Sequence, residues 1–71
     1  MQTESAGLVL SFFFGSGVEI AKAFHTTFEN AVAMLRGRRD IPEAQLEKLL
    51  TEKQSDMDTF RFLCAYVDSL S

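Results

Sequence analysis

The chain is poor in the residues that staple small proteins together: its 71 residues include one Cys, one His, one Pro and no Trp. Cys64 alone forms no intrachain disulfide, and with His25 as its sole soft companion it cannot complete a Cys/His zinc cluster, so neither metal nor cofactor is expected. A domain of this length hides only roughly 60% of the surface its unfolded chain exposes. A core that small rarely supplies more than about 3–5 kcal/mol, which leaves association as the remaining staple.

Positive charge is also scarce. Ten Asp and Glu against seven Lys and Arg leave a net charge of −3, which disfavours nucleic acid as a partner because phosphate neutralisation needs general basic character. No Lys or Arg precedes the apolar run Leu8 to Phe14, so the positive segment of a secretory signal is missing. Charge-free residues extend only from Ser5 to Val18, short of the roughly 20 apolar residues that span a membrane. With a single thiol these features fit a cytoplasmic protein in a reducing compartment.

Against these absences stands a large apolar content: 46% hydrophobic residues, with seven Phe and one Tyr. Its periodicity is helical. In the segment 17–36, Ile20, Ala21, Phe24, Phe28, Ala31, Val32 and Leu35 form one stripe, and Glu19, Lys22, Thr26, Glu29, Asn30 and Arg36 fall opposite. Gly37 suits the left-handed residue that closes a helix, with Arg36 at the negative end of the dipole. The turn 37–40 then leads into Asp40-Ile41-Pro42-Glu43, which reads as a capping box with Pro in the first turn.

From that point to Leu70 there is no further Gly or Pro, so one helix over 41–70, about seven turns long, is expected. Leu46, Leu49, Leu50, Met57, Phe60, Leu63, Cys64, Val67 and Leu70 share one face, with Lys53 near the middle of the stripe. So short a connection joins antiparallel neighbours. The expected fold is therefore all-α, an antiparallel helical hairpin with a short apolar N-terminal helix over 5–15, dimerising into a helical bundle as one domain of residues 1–71.

The run Leu8-Val9-Leu10-Ser11-Phe12-Phe13-Phe14 has no clear period and suits a buried strand or a buried helix. No second strand candidate exists to pair its backbone, which favours helix. Gly15-Ser16-Gly17 either ends that helix, with Ser16 and Glu19 as a second capping box, or is a weak point within a longer one. Leu8, Leu10, Phe12, Phe13 and Phe14 are the expected self-association residues.

Candidate partner contacts are few. Phe62 and Tyr66 sit one turn apart on the side away from the apolar stripe, where a simple hairpin exposes both rings; they either pack on the N-terminal segment or a second copy, or form a binding patch. Arg36, Arg38 and Arg39 hold three of the seven basic residues at the hairpin tip, either as a solvated turn or as a contact for phosphate or an acidic surface. Glu43, Glu47, Glu52, Asp56 and Asp58 give the second helix an acidic face, solvated or docking a basic partner.

Catalysis finds no support. His25, at the edge of the first stripe, has no Ser/His/Asp or Cys/His partner set, Asp56 and Asp58 do not share a helical face, and Gly15-Ser16-Gly17 lacks the spacing of a phosphate loop. In architecture alone the outline resembles the small helical-hairpin dimers typified by a plasmid RNA-binding regulator, and in format phage-encoded inhibitors and secretion chaperones; no residue role follows from such likeness. The expected function is a non-enzymatic interaction module that inhibits, adapts or chaperones a larger protein, with a nucleic-acid-binding regulator as the alternative.

Overall fold

Five α-helices form in chain order: α1 Glu4–Phe14, α2 Gly17–Ala23, α3 Phe28–Leu35, α4 Glu43–Glu52 and α5 Met57–Ser69. The computed structural model describes residues 4–70, and the chain over that range is all-helical. No single helix among them is long and apolar enough to cross a membrane; Ser5–Phe14 and Gly17–Ala23 reach the composition only together, and they are bent by 80°.

The two long helices of the expected hairpin are each broken. After α2, the amide of Thr26 donates to the Ala21 carbonyl (3.0 Å) and that of His25 to the Lys22 carbonyl (3.3 Å), with His25 at φ 52°. After α4, Ser55 donates to Leu50 (2.9 Å) and Gln54 to Thr51 (3.0 Å), with Gln54 at φ 60°. Both are Schellman closures, the same pair of bonds that ends α3 at Gly37, where Arg38 donates to Ala33 and Gly37 to Met34.

Each new helix then starts on a side-chain cap. The Thr27 hydroxyl accepts from the Asn30 amide at 3.1 Å, and Asp56 Oδ1 accepts from the Thr59 amide at 2.7 Å. The second bond holds the Asp56 carboxyl below its ordinary range. Two expected caps differ from this pattern. Ser16 occupies the N-cap of α2 without a side-chain bond, and α4 begins at Glu43 with Pro42, rather than Asp40, in the N-cap position.

Breaking the rods lets short helices wrap a shared core. α1 packs on α2, α3 and α5, α2 on α3, and α4 on α5. Phe60, Leu10, Ile20, Ile41, Leu46 and Leu50 are fully enclosed, joined by Val9, Phe14, Phe24, Met34 and Met57. The Phe14 ring meets Phe24 edge-on at 5.7 Å and Phe13 lies 6.0 Å from Phe60. Gln45 Nε2 reaches back from α4 to the Phe24 carbonyl at 2.9 Å, satisfying an acceptor at the end of α2.

α1 and α5 run antiparallel, since the Ser5 hydroxyl donates to the Asp68 carboxylate near one end while Phe13 meets Phe60 near the other. Gly7 sets the contact between α1 and α3. A Cβ there would overlap the Leu35 carbonyl oxygen and stand 2.7 Å from its carbon, so only glycine admits so close a backbone approach.

Two substitutions test this account. Gly7→Ala must push α1 off α3 and is expected to cost about 1–3 kcal/mol in urea unfolding; an unchanged midpoint would show that the helices do not touch there. Gln54→Gly relieves a left-handed residue that carries a Cβ and is expected to stabilise by about 1 kcal/mol, because the Schellman turn is kept while its strain is removed. A lower midpoint for that variant would refute the left-handed closure of α4.

Candidate functional site

The apolar run of α1 divides by helical geometry. Val9, Leu10 and Phe14 are buried in the chain's own core, so of the residues expected to self-associate, Leu10 and Phe14 face inward in the single chain. Phe13 is half-buried against Phe60. Leu8 and Phe12, one turn apart, face outward with 59% and 79% of their surface exposed.

α5 supplies the facing wall. Leu63 and Val67 are half-buried, and with Leu8, Val9 and Phe12 they line a groove of about 180 Å³ formed by apolar side chains. On the same helix Phe62 and Tyr66 are exposed, so the rings expected to lie off the packed face are outside it; Leu70, expected on the packed face, caps the end of α5 and is exposed too. Tyr66 stands one turn from Leu63 and from Leu70, which extends the apolar face along α5. Phe12 itself is held edge-on to Phe13 at 5.7 Å, so the outermost ring sits on a packed one.

The arginines of the α3–α4 connection are exposed but do not act as one cluster. Arg36 and Arg38 line a concavity with Leu8 and Leu35, whereas Arg39 lines another with Phe24, Met34, Pro42 and Gln45. None of the three forms an ion pair with an acidic side chain among the described residues. Arg61 does, lying 3.8 Å from the half-exposed Glu43 and 3.7 Å from the fully exposed Asp58, contacts that contribute little.

A larger groove of about 620 Å³ lies between α2 and α4, where Lys22, Lys48, Lys53 and His25 alternate with Glu19 and Glu52 over Phe14. Its charges are mixed. Lys53, expected within the core stripe, instead caps α4 and sets its amine 5.2 Å from the centre of the Phe14 ring, a cation–π contact that covers the edge of the core. The His25 backbone, in a left-handed conformation, closes α2. Among the described residues no three His, Cys, Asp or Glu side chains gather closely enough to hold a metal ion.

Reading the residues alone missed the groove, because its walls come from segments some 50 residues apart in sequence and only the antiparallel α1–α5 pairing unites them. The signal available was the i, i+4 pair Leu8 and Phe12, hidden in a run that is apolar all round. Phe28 was expected in the core and is 56% exposed, because the break at His25 resets the phase of α3; its ring rests beside Gly17, where a Cβ would stand 3.1 Å from Phe28 Cε1.

Cys64 stands half-buried on α5. Burial pushes its thiol pKa up, and the negative charge of Asp68 adds to the shift. The thiolate is therefore expected to form later than in a free thiol, and Ellman's reagent at slightly alkaline pH should react more slowly with the folded chain than with the chain in denaturant. Equal rates in the two states would contradict the burial of Cys64.

No protein-family model, curated protein or solved structure matches the chain, so its functional reading rests on its own residues.

Proposed function

We propose that this chain is a non-enzymatic protein-interaction module that docks on a larger protein through the outer face of α1 and α5 and modulates it as an inhibitor, adaptor or chaperone. The observation that supports it is the exposure of Phe12 and Leu8 beside an apolar groove, with Phe62, Tyr66 and Leu70 uncovered on the neighbouring helix. Large apolar residues left exposed on so small a molecule are surface that water penalises, and aromatic anchors of this kind dominate interface energetics. A cytoplasmic location accompanies the reading, with self-association through Leu8 and Phe12 as a competing use of the same face.

The nucleic-acid alternative draws less support. Arg39 opens on a different concavity from Arg36 and Arg38, and the chain carries a net charge of −3, so a continuous phosphate track is lacking.

Phe12→Ser separates binding from folding. The ring is 79% exposed, so unfolding free energy should change by no more than about 0.5 kcal/mol. Affinity capture from the source cell is expected to recover a stoichiometric protein with the natural chain and to lose it with Phe12→Ser and with Leu8→Ser. Recovery that ignores both substitutions, or no recovery from a folded chain, refutes the proposed face.

A further inference from the structure

The apolar groove does not end in neutral surface. Leu8 belongs both to that groove and to the concavity of about 340 Å³ that it forms with Leu35, Arg36 and Arg38, so the two depressions meet at one side chain. Because α1 and α5 are antiparallel, the groove runs from Phe12 and Leu63 to Leu8 and Val67, and continues to the arginines at the end of α3. A chain with net charge −3 thus sets two exposed guanidinium groups, without a carboxylate partner among the described residues, at one end of its apolar groove. The α3 dipole accounts for cations at this position but engages none of the planar, paired donors that a guanidinium offers to a carboxylate.

From this continuity we infer that the groove's occupant is an amphipathic helix of a partner protein, with two large apolar residues one turn apart set between α1 and α5 and carboxylates about one turn further along, over Arg36 and Arg38. The inference rests on the interaction-module reading and names its partner class. A helix ridge suits a groove between two helices, and i, i+4 anchors are how such helices are read. A second copy of this chain would compete for the same face, and the test below separates it from such a helix. An anionic membrane fits less well, since a net charge of −3 opposes approach to it.

The test is a selection of helical peptides from a randomised display library on the natural chain. Recovered peptides are then titrated by fluorescence anisotropy against the natural chain, Phe12→Ser and the double variant Arg36→Gln/Arg38→Gln, all checked for folding by circular dichroism. Peptides enriched in Asp and Glu one turn beyond an apolar i, i+4 pair are expected. Their affinity should fall about tenfold in the double variant, weaken as salt is raised, and vanish in Phe12→Ser.

Neutral or basic peptides that ignore the double variant but need Phe12 would overturn the acidic partner while leaving the interaction module standing. If no recovered peptide depends on Phe12, both fall. Phe12- and Arg-dependent co-sedimentation with phosphatidylserine vesicles, in the absence of acidic peptide binders, overturns the inference in favour of a membrane. Concentration-dependent dimerisation that Phe12→Ser abolishes and that blocks the recovered peptides overturns it in favour of a second copy.

Discussion

The backbone contact of Gly7 with Leu35 governs the rest of the molecule. With no Cβ between them, α1 lies on the last turn of α3, and the small side chains of Ser5 and Ala6 are buried beside it. That approach sets Leu8 next to Leu35 and therefore next to Arg36 and Arg38. It also carries Ser5 to Asp68, which aligns α5 antiparallel to α1 and puts Leu63 and Val67 across from Phe12. A larger residue at position 7 separates the helices and, with them, the apolar groove from its basic end.

The helical character of the chain is legible in its residues, but its segmentation is not, and the reason lies in the Schellman turns. Gly37 announces one such turn because glycine takes a positive φ without strain. His25 and Gln54 make the same turn and carry no such mark. Counted along the sequence, the apolar spacing continues across both breaks, so the periodicity of Ile20, Phe24 and Ala31, or of Leu50, Met57 and Phe60, reads as one rod even though the break at His25 shifts the phase of α3 in the fold. The caps were nevertheless in view: Thr27 stands three residues before Asn30 and Asp56 three before Thr59, each in the position of a helix start. Lys53 in the middle of an apolar stripe was the further sign, since it ends α4 and sits over Phe14 at the core's edge.

The candidate site was half legible for a different reason. Phe62 and Tyr66 lie off the stripe by counting residues, and they are exposed. The Leu8 to Phe14 run has apolar side chains in every direction, so its own sequence cannot say which of them turn inward. Tertiary partners decide: α1 packs on α2, α3 and α5, Val9 and Leu10 are buried, Phe24 meets Phe14, and Leu8 and Phe12 are left outside. Helix breaks thus have local causes that careful reading can find, whereas the division of an apolar run between core and surface is a property of the assembled fold.

Five short helices enclose more apolar surface than two long ones, and this changes what the exposed residues mean. A hairpin of rods has one interface and must find others to cover its aromatic rings. Here Phe14, Phe24 and Phe60 are taken in, with Phe13 half-covered, because each break turns the next helix back across the core. The rings left out, Phe12, Phe28, Phe62 and Tyr66, carry little of the internal packing. Removing Phe12 or Leu8 therefore costs the fold little, while exposing them costs solubility. Exposed apolar surface that does not support the core, beside a groove with an arginine end, is the feature on which the proposed docking face rests.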